Sequence, residues 1–308
     1  MIATQHSLPL FFQFFWLDAV AGAENWDVVL SLDAEGNPKG VWPYVIKQSK
    51  GLLKVNVMPP LTPYLGPWLF YPEKIQTRQK KFQFEEKILP ELVAQLPSVF
   101  LLQQKCHPRF FNWMPLYWLG FQQTTRFTYR IEPGSSTDKI FNASLRSDIS
   151  RSRKKMEIQV LDNPELFYEI NVLSFTQQGR PIPYDLSFFL RLDASLSQRG
   201  QREITAIFDQ NGEPMGALYL IWDIDTAYYL ASGIDRSKHP SGVMSYLLAV
   251  AIEKTLKEGK TFDFEGSMIP GVEQFFRSFG GKLTPYYQIT KGRNRWVEAL
   301  KLILTGKL

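Results

Sequence analysis

Hydrophobic residues change their period several times along this chain, and each change marks an element. Residues 9–20, PLFFQFFWLDAV, read as a short aromatic helix. Two apolar runs follow, Trp26 to Leu32 and Gly40 to Lys47, with turn residues Glu35 to Pro38 between them, which predicts a β-hairpin. A third alternation, Leu52 to Met58, enters the loop PPLTPYLGPW, whose four prolines forbid regular ladder pairing. Helical spacing occupies Gln76 to Gln95, before a strand at Val99 to Gln103, an aromatic segment at Phe110 to Leu119 and a strand at Thr124 to Ile131.

The second half repeats this grammar. Residues 132–138, EPGSSTD, have turn chemistry and little apolar content, so they are the expected linker between lobes at 1–132 and 139–308. A basic helix spans 139–156, and a second starts with Asn163 as N-cap and Pro164 in its first turn, with Gly179 beyond its end. The loop RPIPYD leads to a third helix, Leu186 to Gln198. Strand-like runs at Glu203 to Asp209, Met215 to Trp222 and Ala227 to Ile234 come next, the first two joined by a turn holding Asn211 and Gly212. The helix SGVMSYLLAVAIEKTLKEG, the strand TFDFEG, an amphipathic segment Val272 to Phe279, a strand Lys282 to Thr290 and a last helix Asn294 to Thr305 complete the chain. The closing stretches LYWLGFQQTTRFTYRI and FFRSFGGKLTPYYQIT share one order, an aromatic segment, a glycine turn and an alternating strand, so that Gly120 and Gly280 correspond. A duplicated α/β unit explains the match, although two unrelated lobes with ordinary hairpin and helix grammar would also produce it.

Composition narrows the class. The 308 residues are 44% hydrophobic and 21% charged, a globular balance that excludes disorder. One cysteine, Cys106, and three scattered histidines assemble neither a disulfide nor a metal site, so no metal is expected. The apolar stretch Leu8 to Val20 is interrupted by Pro9, Gln13 and Asp18, and no transmembrane segment or signal peptide is read. A reducing, cytoplasmic setting is expected. The formal charge of +5 points to an anionic partner without choosing among nucleotide, nucleic acid and membrane surface.

Three stretches, VWPYVIKQSKGLLKVNVMPPLTPYLGPW, SLRSDISRSRKKMEIQV and HPSGVMSYLLAVAIEKTLKEGKTFDFEGSMIPGVEQFFRSFGGKLTPYYQI, together resemble the GNAT acyltransferase superfamily and, within it, the duplicated Fem-like branch. The resemblance implies an α/β (α+β) fold of two tandem GNAT-like lobes, each a mixed, mostly antiparallel sheet flanked by helices. It implies a donor cleft in the second lobe, a degenerate first lobe, and transfer of an acyl group to an amine by direct attack. Acyl-coenzyme A is the expected cosubstrate, with no permanently bound cofactor, and a small-molecule or peptide amine is the acceptor. An aminoacyltransferase using aminoacyl-tRNA and a non-catalytic polyanion-binding module remain as alternatives.

The loop before the glycine-containing helix offers a helix N-terminus, where unpaired N–H groups and the dipole favour an anion. Arg236, Lys238, Ser241, Gly242 and Val243 are therefore the expected donor-binding residues, although Pro240 removes one donor and Ser241 also reads as a simple N-cap. Asp263 and Glu265 alternate along TFDFEG, would share one face of a strand, and are candidate bases, or else an ordinary acidic pair at a strand end. Tyr286 is a candidate hydroxyl for the leaving group, with core packing as its other reading. On the basic helix, Arg146, Arg151 and Lys154 are candidates for phosphate or substrate contact, or part of a solvated face.

Overall fold

The computed structural model describes residues 8–48, 53–238, 241–266 and 268–292. The chain forms two compact units, one from residues 1–126 and 285–308, the other from 127–284. The boundaries therefore fall inside two strands rather than at the polar stretch 132–138.

In the first unit a 3-10 turn (Leu10–Phe12) and helix α1 (Phe14–Ala21) are parted by Gln13, whose extended backbone breaks the single helix expected over 9–20. Leu10, Phe11, Phe12, Trp16 and Leu17 are all fully buried, so this segment is a plug that is apolar on most sides rather than an amphipathic stripe. Strands β1 (Trp26–Leu32) and β2 (Pro38–Gln48) form the expected antiparallel hairpin. Asp33 fixes its turn by accepting the backbone N–H groups of Glu35 and Asn37 at 3.0 and 2.7 Å. Strand β3 (Lys54–Asn56) continues the sheet, and β4 (Trp68–Leu69), a short pairing inside the proline-rich loop, joins β2. Helix α2 (Arg78–Gln95) buries Ile88, Leu89 and Leu92 and leads to β5 (Leu101–Lys105), which runs parallel to β3. A one-turn helix α3 (Met114–Trp118) then precedes β6 (Gln122–Ile131). The core holds a polar knot: Trp42 Nε1 donates to Gln104 Oε1 at 2.6 Å, and Gln104 Nε2 donates to Pro43 O and Asn56 Oδ1 at 3.0 and 3.2 Å.

The second unit opens with α4 (Thr137–Ile140), α5 (Ala143–Arg153), an edge strand β7 (Ile158–Leu161), α6 (Pro164–Thr176) and α7 (Leu186–Ser197). Asn142, Asn163 and Asp185 cap α5, α6 and α7 by accepting from Leu145, Leu166 and Phe188 N–H, as caps of these types should. Strands β8 (Arg202–Phe208), β9 (Pro214–Trp222) and β10 (Thr226–Ile234) follow as an antiparallel meander. A 3-10 turn (Arg236–Lys238), helix α8 (Val243–Lys257) and strand β11 (Thr261–Asp263) make a crossover that brings β11 parallel to β10. Helix α9 (Pro270–Arg277) and strand β12 (Lys282–Gly292) complete the described chain; the expected helix at 294–305 lies outside the described residues. Val243, Leu247, Leu248 and Ile252 of α8 pack with Leu218, Phe262, Phe264 and Phe279 into the core of this unit.

The duplication is visible in strand order. Each unit has antiparallel strands, a helical crossover and a parallel pair, β3 with β5 in one and β10 with β11 in the other. A strand introduced by a positive-φ glycine follows each parallel pair: Gly120 (φ +83°) before β6 and Gly280 (φ +68°) before β12. These closing strands are exchanged: Ile131 and Arg130 of β6 pair with Phe262 and Asp263 of β11, whereas Gln288 to Gly292 of β12 pair with β5. No helix among the described residues is long and apolar enough to cross a membrane.

Candidate functional site

The parallel pair of the second unit is short. β10 runs nine residues, yet β11 accompanies it only from Thr226–Thr261 to Tyr228–Asp263, where β11 ends. Beyond that point the two strands part into a fork, and β10 also carries a bulge against β9 between Tyr229 and Ala231. A bulge re-aims side chains. Tyr229 stands at the mouth of the fork, half-buried, with its hydroxyl hydrogen-bonded to Ser232 Oγ and its ring edge-on to Phe276 at 5.8 Å.

Helix α6 holds this half of β10 rigidly. Asn171 Nδ2 donates to Ser232 O at 2.5 Å, and Tyr184 Oη donates to Asn171 Oδ1 at 2.7 Å. Gly233 lies so close to the helix that a Cβ there would meet Ile170 C and O at 2.5 Å.

On the other arm of the fork, the strand expected over TFDFEG stops at Asp263. Glu265 takes a left-handed backbone (φ +58°), so Asp263 and Glu265 are not alternating residues of one strand. Asp263 is 1% exposed, accepts Thr128 Oγ1 at 2.7 Å and the Glu265 N–H at 2.8 Å, and has Arg130 Nε 3.6 Å from Oδ2. Its role in this geometry is to fix the backbone of Glu265, whose side chain is only partly buried. Burial and the negative charge of Glu265 push the Tyr229 hydroxyl up to about 12, against the opposing pull of its bond to Ser232. Tyr229 and Ser232 thus bring two hydroxyls to β10 past the end of its ladder with β11, and Glu265 brings a carboxylate two residues past the end of β11. A carboxylate there can take a proton, a neutral hydroxyl can give one, and the β10 backbone past Tyr228 has no β11 strand to occupy it.

The expected donor loop is differently employed. Gly242 is the N-cap of α8 in the left-handed region (φ +79°), and a Cβ on it would stand 2.3 Å from Ser152 Oγ. Its lack of a side chain thus serves close packing of α8 on α5. Val243 is fully buried in the core, Ser241 is exposed, and Lys238 Nζ pairs with Asp209 Oδ2 at 3.1 Å. Arg236 is exposed while its backbone N–H donates to Gln177 Oε1 at 2.8 Å. His239 and Pro240 lie outside the described residues.

On the basic helix, Arg146 Nη1 donates to the carbonyls of Asp138 and Phe141 at 2.5 and 2.9 Å, tying down α4. Arg151 pairs with Asp148 on the surface, and Lys154 is the exposed C-cap of α5. Tyr286 belongs to the first unit, 5% exposed and edge-on to Tyr64 at 5.2 Å, and so is not part of the fork's own unit. Burial pushes the Cys106 thiol well up, which keeps it protonated and unreactive. Tyr229, Ser232, Thr128 and Arg130 were not singled out from the sequence. Only the bulge distinguishes Tyr229 from the other aromatic residues of its strand.

Comparison with known proteins bears on the fold. Residues 143–277 match the model of a GNAT acetyltransferase domain. No curated protein matches the sequence. Among solved structures, FemX superposes with a TM-score of 0.64 at 13% identity, covering 90% of this chain and 91% of that one. The C-terminal domain of a putative lysylphosphatidylglycerol synthetase from Agrobacterium fabrum gives 0.55 at 13% identity over 98% and 92%. L-PGS from Bacillus licheniformis gives 0.52 at 13% identity over 91% and 88%. Residues 143–277 thus match a GNAT acetyltransferase domain, and the chain as a whole shares the fold of FemX.

Proposed function

We propose that the chain is an acyltransferase in which an amine attacks the donor's acyl carbon directly at the β10–β11 fork. The observation that carries this reading is the Tyr229 hydroxyl bonded to Ser232 on one arm of the fork, with Glu265 fixed by Asp263 on the other. The amine nitrogen forms the new C–N bond and passes its proton to Glu265, the β10 backbone donates to the tetrahedral oxyanion, and the bond from carbon to the carrier breaks. The departing atom takes its proton from Tyr229, with Ser232 bonded behind it.

The donor we favour is an oxygen ester such as aminoacyl-tRNA. A thiolate is a weak base and leaves without help, whereas an alkoxide needs a proton, which a neutral tyrosine with an elevated pKa can give. The pairing of Lys238 with Asp209 already neutralises one of the charges that a pyrophosphate would use. A second reading, acyl-coenzyme A as donor, is favoured by the match of residues 143–277 to an acetyltransferase domain. Mass-spectrometric detection of acylated product, from aminoacyl-tRNA and acyl-coenzyme A offered to a panel of primary amines, separates the two. On the favoured reading Tyr229→Phe lowers turnover of the ester by about a hundredfold or more. Turnover of the thioester alone would establish the second reading.

A further inference from the structure

We propose that the first unit docks on an anionic membrane surface through an aromatic and basic patch formed by α3 and the start of α2. This rests on the surface of that unit and not on the catalytic reading.

Helix α3 is short, but its residues divide cleanly. Met114, Tyr117 and Trp118, spaced i, i+3, i+4, share one face and are 49%, 61% and 61% exposed, while Leu116 is fully buried. Phe111, just before the helix, is 46% exposed. Four large apolar side chains so placed are not scattered surface residues; a contiguous exposed patch marks an interaction site.

Basic residues outnumber acidic ones beside them, Glu73 and Glu86 being the exposed carboxylates of the neighbouring α2 segment. From Leu92 to Arg126 the sequence has no aspartate or glutamate while it carries Lys105, Arg109 and Arg126. Helix α2 approaches this segment with Arg78, whose guanidinium lies over the rings of Phe82 and Phe111 at 5.4 and 6.0 Å. Lys74, Arg78, Lys80 and Lys81 precede the first carboxylate of the helix, Glu85, and that group is buried and bonded to Tyr71 and Asn112. Basic residues in the first turn of α2 oppose the helix dipole, a cost that an anionic surface would offset.

Amphipathic aromatic residues flanked by lysine and arginine suit the lipid–water interface, where ring edges enter the acyl boundary and cations meet headgroup phosphates. A nucleic acid suits the patch less well. Base stacking needs open ring faces, and Arg78 already covers Phe82 and Phe111, while Trp113 and Tyr117 pack edge to face at 5.5 Å. Helix α3 is five residues long, far short of a membrane span, so the contact proposed for it is peripheral.

The test is co-sedimentation of the full chain with vesicles of phosphatidylcholine alone or containing phosphatidylglycerol. The expected result is binding only to the anionic vesicles, weakened by salt. Arg78→Gln with Lys81→Gln should weaken it by about thirty-fold, and Trp118→Ser by about tenfold. These residues are at the surface, so unchanged circular dichroism and melting will separate lost binding from lost fold. An environment-sensitive fluorophore on Trp118→Cys reads the contact directly, because the chain's other cysteine, Cys106, is buried. Absence of binding to anionic vesicles, or binding undiminished in these variants, would overturn the proposal. So would finding that the variants abolish tRNA retention or self-association while leaving vesicle binding intact. Failure here leaves acyl transfer at the fork standing, since that is scored with soluble donors and amines.

Discussion

Gly233→Ala is the sharpest probe of how the fork is built. Its Cβ would lie 2.5 Å from Ile170 C and O and 2.7 Å from Asn171 N, all backbone atoms of α6, so no side-chain rotation can relieve the clash. Ordinary carbon contacts are about 3.5–4.0 Å, so helix and strand must separate by roughly 1 Å. Overpacking of this kind costs about 1–3 kcal/mol. Separation also weakens the Asn171–Ser232 bond, which adds about 1 kcal/mol. The sum, about 2–4 kcal/mol, lowers the melting temperature by about 4–16 °C for a domain of this size. Gly271→Ala in α9 is the control: a Cβ there meets nothing within 4 Å, and alanine should stabilise the helix by about 0.5–1 kcal/mol. Chemical denaturation with amide hydrogen exchange on β10 measures both. If Gly233→Ala is as mild as Gly271→Ala, α6 does not brace β10 and the rigidity attributed to the fork is wrong.

Gln104→Ala should cost about 1–3 kcal/mol or more, because it strands the buried Trp42 indole N–H and frees Asn56, and urea denaturation will read the loss. The Tyr229 hydroxyl, raised to about 12 chiefly by burial, stays protonated in the folded protein while an unfolded tyrosine ionises near 10. Its contribution to stability is therefore full below about pH 10 and is lost as pH rises towards 12. Ultraviolet titration of Tyr229→Phe should show one late tyrosinate fewer, and an unchanged late phase would remove the burial and Glu265 from the account.

Much of the fold is legible in the sequence because it is local. Asn163 bonds the N–H group that a cap of its type should bond, and Gly120 and Gly280 have the positive φ a tight entry into a strand demands. Strand β7 escapes notice because, as an edge strand, it has no buried face: Val160 is 68% exposed and the alternation is lost. The exchange of β6 and β12 is also invisible, since alternation tells which face is buried and never which strand lies alongside. The site shows the same divide. Asp263 and Glu265 stand out as carboxylates, but their division of labour depends on the left-handed turn at Glu265 that Asp263 itself secures. Tyr229 needs the bulge, and Gly242 needs Ser152, which is ninety residues earlier in sequence.

The central claim is that Glu265 takes the amine proton at the fork. Single-turnover acyl transfer by Glu265→Gln, measured beside donor affinity and melting temperature, tests it most directly. The account predicts a chemical step slowed by about a hundredfold or more, with affinity and melting temperature nearly unchanged and partial recovery at higher pH as free amine accumulates. A folded Glu265→Gln protein that turns over at the wild-type rate would contradict it and move the chemistry away from the fork.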